Sequence, residues 1–332
     1  MSQNLSAHTL RLIERTCTKR PHLKLTVGLL ESGESSIRIF SEAGEQEPYD
    51  HIYEIGSLGK VFVATLLAKY VGLGEVSLTE SVGNYLPGLD PTRYYPTFLR
   101  LATHRSGYGG RLPLTRRQFA HLILDMALSR NQGEVPFTLN GDQFTQLIRT
   151  TQLEDEDYPW AYSNFAYAIL GHALGSICGL GFEQGMTQFV SHDLGLPNTF
   201  IGTGEQSLCG YTAKNQPVGN WDFTNNWMAP AGALSSTATD LLAFAQQNID
   251  QSQPYLSMCH YAYAQISKHY DMGLGWWLDK ADHRILHHEG GTGCYGSFLI
   301  IDRGTGRACV VLSNYRLGMT SEKSIALSVM SR

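Results

Sequence analysis

Hydrophobic and polar positions change their period several times along the chain. Leu10, Ile13 and Cys17 recur at helical spacing, which predicts a short N-terminal helix. Leu23 to Leu30 and Ser36 to Phe40 then read as strands, joined by the hairpin-like segment Glu31-Ser32-Gly33-Glu34. From Lys60 to Leu73 the run Val61-Phe62-Val63-Ala64-Thr65-Leu66-Leu67-Ala68 is apolar on every side. A helix without a polar face belongs inside, so this one is expected at the centre of the molecule.

Between Thr79 and Pro217, helical stretches alternate with loops such as Tyr85-Leu86-Pro87-Gly88 and Arg105-Ser106-Gly107-Tyr108-Gly109-Gly110. After a helix-like segment from Thr239 to Gln247, strand-like runs return: Gly273 to Leu278, Ile285 to His288, Ser297 to Ile301 and Ala308 to Ser313. Strands at both ends with helices between them predict that the two termini build one sheet and that the middle forms the other wall of a cleft. The expected division is residues 1–56 with 230–332 as an α/β sheet domain and residues 57–229 as a mostly helical domain, with the active site between them. No internal repeat or low-complexity segment interrupts this plan.

Totals narrow the partners. The 332 residues carry 25 basic and 30 acidic side chains, a formal charge of −5, with no basic block suited to nucleic acid. A small molecule or short peptide is the expected partner, and composition does not set the oligomeric state. The six cysteines, Cys17, Cys178, Cys209, Cys259, Cys294 and Cys309, have no regular spacing and read as reduced thiols. Met1 to Lys19 lacks the apolar centre of a signal peptide, and no later run is long enough to span a bilayer, so a cytoplasmic location is expected.

Candidate chemistry sits in three clusters. Ser57 is the only serine followed three residues later by a lysine, Lys60. At the start of the apolar helix the pair would share a face, with free backbone N–H groups and the positive end of the dipole beside the hydroxyl. A serine needs such a neighbour to take its proton. Trp160-Ala161-Tyr162-Ser163-Asn164 precedes a helical run from Phe165 to Leu174. A tyrosine whose pKa is lowered by nearby cations can act as acid or base, and an asparagine amide can hold both a lysine and a substrate carbonyl. His287-His288-Glu289-Gly290-Gly291-Thr292-Gly293 lies between strands, where glycines admit a substrate backbone and an imidazole could enter the cleft.

Each cluster alone has a plainer explanation. A serine three before a lysine arises by chance about once in a chain of this length, and Ser57 could simply cap a helix. Tyr162 could be a core aromatic, Asn164 a cap and His288 a structural strand residue. Two rival motifs fail on context. Gly291 to Gly296 fits G-x-G-x-x-G but leads into a strand rather than a helix, and His283, His287, His288 and Glu289 lack the helical spacing of a zinc site. No metal or other cofactor is expected. His104 is read as supporting a loop, and adjacent Trp276 and Trp277 as divided between core and cleft wall.

Taken in order, the clusters resemble the serine β-lactamase and penicillin-binding protein superfamily, most closely its class C, D-peptidase and esterase branch. Ser57 and Lys60 stand for S-x-x-K, Tyr162 and Asn164 for Y-x-N, and His288, Glu289 and Gly290 for K-T-G in its H-x-G form. Flanking segments are similar too, including Leu101-Ala102-Thr103-His104-Arg105-Ser106-Gly107 and Pro230-Ala231-Gly232-Ala233-Leu234-Ser235-Ser236-Thr237.

The resemblance implies an α/β (α+β) fold, β-lactamase/transpeptidase-like, with an antiparallel sheet flanked by helices plus a helical lobe. It also implies a hydrolase that forms an acyl-enzyme on Ser57, with Lys60 and Tyr162 moving protons and the backbone N–H groups of Ser57 and Gly291 holding the oxyanion. Two departures from the family pattern shape the expected substrate. An imidazole at His288 should help Tyr162 in a pH-dependent way, and a cleft-facing Glu289 should repel a substrate carboxylate. An ester, amide or D-amino-acid-containing peptide is therefore expected ahead of a β-lactam or a terminal D-alanine. Acyl transfer to an amine, as in a peptide cyclase, and a non-catalytic binding role are the alternatives.

Overall fold

A computed structural model of the chain describes residues 5–109, 135, 138–204, 207–315, 317 and 320–331. Met1 to Asn4 and Gly110, parts of segments read above, lie outside the described residues. The N-terminal helix runs Ala7–Cys17, and Ser6 caps it by accepting the Thr9 N–H.

Two hairpin strands follow, β1 (Leu25–Glu31) and β2 (Glu34–Ser41), with Glu31 opposite Glu34 and β3 (Gly44–Gln46) beyond them. A small sheet in the order β4-β8-β5 joins β4 (Tyr53–Glu54), β5 (Phe200–Ile201) and β8 (Leu234–Ser236), while β6 (Gly210–Tyr211) pairs with β7 (Pro217–Val218). The C-terminal part supplies β9 (Ala264–Gln265), β10 (Tyr270–Met272), β11 (Trp277–Asp279), β12 (Ile285–Gly291), β13 (Gly296–Asp302) and β14 (Arg307–Ser313).

Nine of these strands form one antiparallel sheet, ordered β3-β2-β1-β14-β13-β12-β11-β10-β9. Leu25 lies opposite Ser313 and Leu30 opposite Ala308, so the two ends of the chain meet at the middle of the sheet. Alternation along the strands then divides the core. Leu286, Leu299, Ile301, Val310 and Leu312 face the central helices, whereas Val27, Phe298, Ile300, Cys309 and Val311 face the N- and C-terminal helices.

The apolar run forms the helix Gly59–Gly72, buried at every position from Gly59 to Ala68. Phe62 stacks on Phe244 at 4.3 Å, and Phe244 stacks on Trp276 at 6.2 Å, linking this helix through the helix Ala238–Asp250 to the turn that leads into β11. Each such ring buried contributes about 1.5–3 kcal/mol, enough together to hold the start of the helix rigid.

One expected strand is shorter than the run that suggested it. Gly273 to Trp276 is a turn in which the Gly273 N–H donates to the Trp276 carbonyl at 2.8 Å and the Leu274 N–H donates to the Cys259 carbonyl. These bonds use up the donors that a strand ladder would need, and β11 begins only at Trp277. Among the described residues no single helix is long and apolar enough to cross a membrane.

Candidate active site

Ser57 occupies a single 3₁₀ turn, Gly56–Leu58, between β4 and the buried helix. The turn is forced by crowding: Gly56 has φ +51°, and a Cβ there would fall 2.7 Å from the Gly291 backbone. Only glycine adopts that conformation in that space without strain. Gly290 is equally confined, since its Cβ would lie 1.9 Å from the Ile55 carbonyl and 2.7 Å from the Leu58 nitrogen. Strand β12 therefore runs flush against the nucleophile turn, bringing Gly291 into the same cavity lining as Ser57.

Lys60, fully buried one turn later, donates from Nζ to Ser57 Oγ at 2.9 Å and to the Ala231 carbonyl at 2.6 Å. Burial lowers its pKa from 10.5 to about 7. The desolvated ammonium thus gives up its proton near neutrality and can serve as a base. Its Nζ also lies 5.0 Å from the centre of the Tyr162 ring and 5.6 Å from that of Tyr167.

Ser163 caps the helix Asn164–Ile177 by accepting the Ala166 N–H, so the cap is Ser163 and the Asn164 side chain is free to face the cavity. Asn164 Oδ1 is buried without a hydrogen-bond partner among the described residues. Tyr162 is close enough to Ser57 for the serine hydroxyl to affect its phenol, but its pKa differs from the expectation of a lowered value: burial raises it, outweighing the opposite effect of Ser57, and the Glu289 charge adds to the rise. The phenol is a neutral hydroxyl in this state, able to donate and accept.

His288 also departs from the expectation. It is 1% exposed, and burial beside Lys60 pushes its pKa down to about 3. The ring is neutral throughout the physiological range, which removes the expected pH-dependent help to Tyr162. Its Nδ1 lies 2.7 Å from the Glu289 carbonyl and must donate to it, leaving a lone pair on Nε2.

Glu289 and Gly290 follow the strand alternation. Glu289 pairs with Phe298 on the face of the C-terminal helix, where Lys323 lowers its pKa against a larger rise from burial. Its side chain thus stands on the sheet face opposite to that of His288, although its charge still reaches Tyr162. His287 shares that far face, stacked on Phe298 and Trp277, while His283 bonds Asp271. The four groups weighed as zinc ligands thus diverge.

His104 is the residue that sequence spacing undervalued. It has φ +58°, accepts the Ser163 N–H on Nδ1 at 3.1 Å, accepts the Ala161 N–H on its carbonyl, and lies 4.4 Å from the Tyr162 ring. It braces the whole Tyr162 segment, and only the structure reveals this because its partners are remote in sequence. The cavity walls were likewise invisible: Val135, Trp221, Phe223, Met228 and Ala231 enclose about 90 Å³ beside Ser57, Asn164 and Gly291.

This geometry coincides with sequence likeness. A β-lactamase from Lysobacter lactamgenus is 28% identical over 60% of this chain and 48% of its own length. A second, from Pseudomonas fluorescens, is 26% identical over 76% of this chain and 68% of its own. The chain thus spans about half of the first and two thirds of the second. Among solved structures, a class C β-lactamase from Rhodobacter sphaeroides superposes with a TM-score of 0.78 at 20% identity, covering 98% of this chain and 99% of that one. That likeness is one of fold. Residues 39–330 match the sequence pattern of the Beta-lactamase family, and this chain belongs to that family.

Proposed function

We propose that the protein is a serine hydrolase that forms an acyl-enzyme on Ser57 from a neutral ester, with amides and D-amino-acid-containing peptides as related substrates. One observation carries the reading: a lysine amine held near neutrality by burial stands 2.9 Å from a serine hydroxyl that faces a cavity. As Ser57 Oγ bonds to the substrate carbonyl carbon, neutral Lys60 accepts its proton. Tyr162, close to Ser57, gives its phenolic proton to the leaving group as the carbonyl–leaving-group bond breaks and regains one from the Lys60 ammonium, after which water takes the acyl group from Ser57. The Ser57 and Gly291 N–H groups hold the oxyanion, and Asn164 and the backbone at Glu289 to Gly291 orient the substrate. Residues 57–229 form one wall of the cleft in this reading, and residues 1–56 with 230–332 form the other.

The apolar cavity walls favour an uncharged, compact acyl group. β-Lactam hydrolysis is the second reading, favoured by the names of the curated relatives. With Glu289 on the sheet face opposite to that of His288, its charge weighs less against that reading. Turnover of p-nitrophenyl esters, D-amino-acid amides and nitrocefin by the wild type and by Ser57→Ala separates the two. Ester turnover lost in the variant is the expected result; nitrocefin as the only substrate favours the second, and turnover unaffected by Ser57→Ala overturns both.

A further inference from the structure

Glu54, three residues before the nucleophile, has no part in the chemistry above, yet it is 6% exposed and stands at a junction of three segments. Its own strand leads into the Ser57 turn. Its Oε1 accepts the Trp221 N–H at 2.7 Å, from the loop whose Trp221 and Phe223 wall the cavity. Its Oε2 is buried without a hydrogen-bond partner among the described residues, as is the hydroxyl of Thr292, the residue after Gly291. The two groups are close enough for the Thr292 hydroxyl to affect the carboxyl.

Further contacts close the junction. The Trp221 indole lies against Gly293, where a Cβ would come within 2.8 Å of its nitrogen. The Tyr295 hydroxyl donates to the Leu208 carbonyl and lies 2.6 Å from Asn220 Oδ1, one residue before Trp221. The wall of the cavity is thus fastened to the 291–296 turn on both sides of Glu54.

We propose that Glu54 is a positioning residue that latches the Trp221 wall to the Thr292 turn and thereby sets the size of acyl group the cavity admits. This rests on the reading of Ser57 as the acylated nucleophile. Protonated, the carboxyl accepts from Trp221 N–H on one oxygen and can donate from the other to Thr292, so both segments are held. Ionised, it can still accept from Trp221 N–H and from the Thr292 hydroxyl, but it becomes a buried charge with no cation beside it among the described residues, a state relieved by admitting water and parting the wall.

The exchange falls in a useful range, because burial raises the Glu54 pKa from 4.5 to about 7 against smaller opposing effects of Thr292 and Trp221. The titratable groups around it are Tyr53 on its own strand and Tyr295 on the turn, with Cys209 and Cys294 also acting on Tyr295. The tyrosines and Cys294 are buried, and burial raises the pKa of both tyrosines, which stay neutral through this range.

The test is the ratio of kcat/KM for butyryl and acetyl p-nitrophenyl esters across pH. Ionisation of Lys60 affects both esters alike and cancels in the ratio. In the wild type the ratio should rise severalfold towards the larger acyl group as pH passes about 7. In Glu54→Gln, whose amide accepts from Trp221 and donates to Thr292 at every pH, it should stay flat at the acidic value. In Glu54→Ala it should favour the larger acyl group at every pH. A flat wild-type ratio, or the same pH dependence in Glu54→Gln, overturns the latch.

A second measurement does not depend on turnover: the fluorescence difference between wild type and Trp221→Phe, titrated with and without Glu54→Gln. A transition near pH 7 that Glu54→Gln abolishes supports the latch, and its absence or its survival in that variant overturns it. Failure of both esters to acylate Ser57 would instead remove the hydrolase reading while this titration still decides the latch.

Discussion

Lys60 Nζ approaches Ser57 Oγ to 2.9 Å from inside the protein, with the Ala231 carbonyl, and not a carboxylate, as its other hydrogen-bond partner. Burial outweighs that contact, and the pKa falls to about 7. With Lys60 as base, kcat/KM for a small ester should rise with pH through about 7 and level off above it. The same depression makes the contribution of Lys60 to stability greatest above its ordinary value of 10.5 and lost as pH falls through about 7. Lys60→Ala should lower acylation by roughly 10³-fold or more and abolish this limb of the pH profile.

Tyr162→Phe removes only the hydroxyl close to Ser57, keeping the ring beside His104. Acylation should fall by about 10²–10⁴-fold. Because the ring contact with His104 survives, thermal unfolding should stay within a few degrees of wild type; a wild-type acylation rate would remove Tyr162 from the proton path.

His288 is held neutral to about pH 3 by burial beside Lys60. Nuclear magnetic resonance of labelled histidine should therefore find no titration of this ring between about pH 5 and pH 8, where an exposed imidazole changes charge. Its Nδ1 should be the protonated nitrogen, as the Glu289 carbonyl requires. A midpoint near the ordinary value of 6.5 would contradict the burial argument.

Gly290→Ala places a Cβ where backbone atoms of Ile55 and Leu58 already stand. Neither can yield without moving the Ser57 turn. Unfolding measurements should record a loss of about 1–3 kcal/mol or more, and acylation should fall with it because β12 is displaced from Ser57.

How far the sequence could be read depended on whether the deciding contacts were local. The helix Gly59–Gly72 and the hairpin at Ser32 and Gly33 were legible because apolar spacing and turn residues act over a few positions. Ser57, Lys60, Tyr162, Asn164 and His288 could be singled out by order and spacing, and the fold brings their segments to one place. The charge states were not legible. Tyr162 was expected to have its pKa lowered by nearby cations and His288 to give pH-dependent help as a partly protonated imidazole, but desolvation, which depends on everything packed around them, dominates in both.

Glu289 illustrates a different limit. One position along a strand reverses the face, and the face that Glu289 takes is fixed by the register of β12 against β13, where it lies opposite Phe298. The bracing by His104 and the cavity wall of Trp221, Phe223 and Met228 depend on similarly remote partners.

The most direct test of the central claim is covalent capture. The protein is treated with a fluorophosphonate, and intact mass followed by peptide mapping locates the adduct. A single adduct on Ser57, lost in Ser57→Ala and strongly slowed in Lys60→Ala, is the predicted result. An unmodified Ser57 in a folded protein, or a modification rate indifferent to Lys60, would contradict the account.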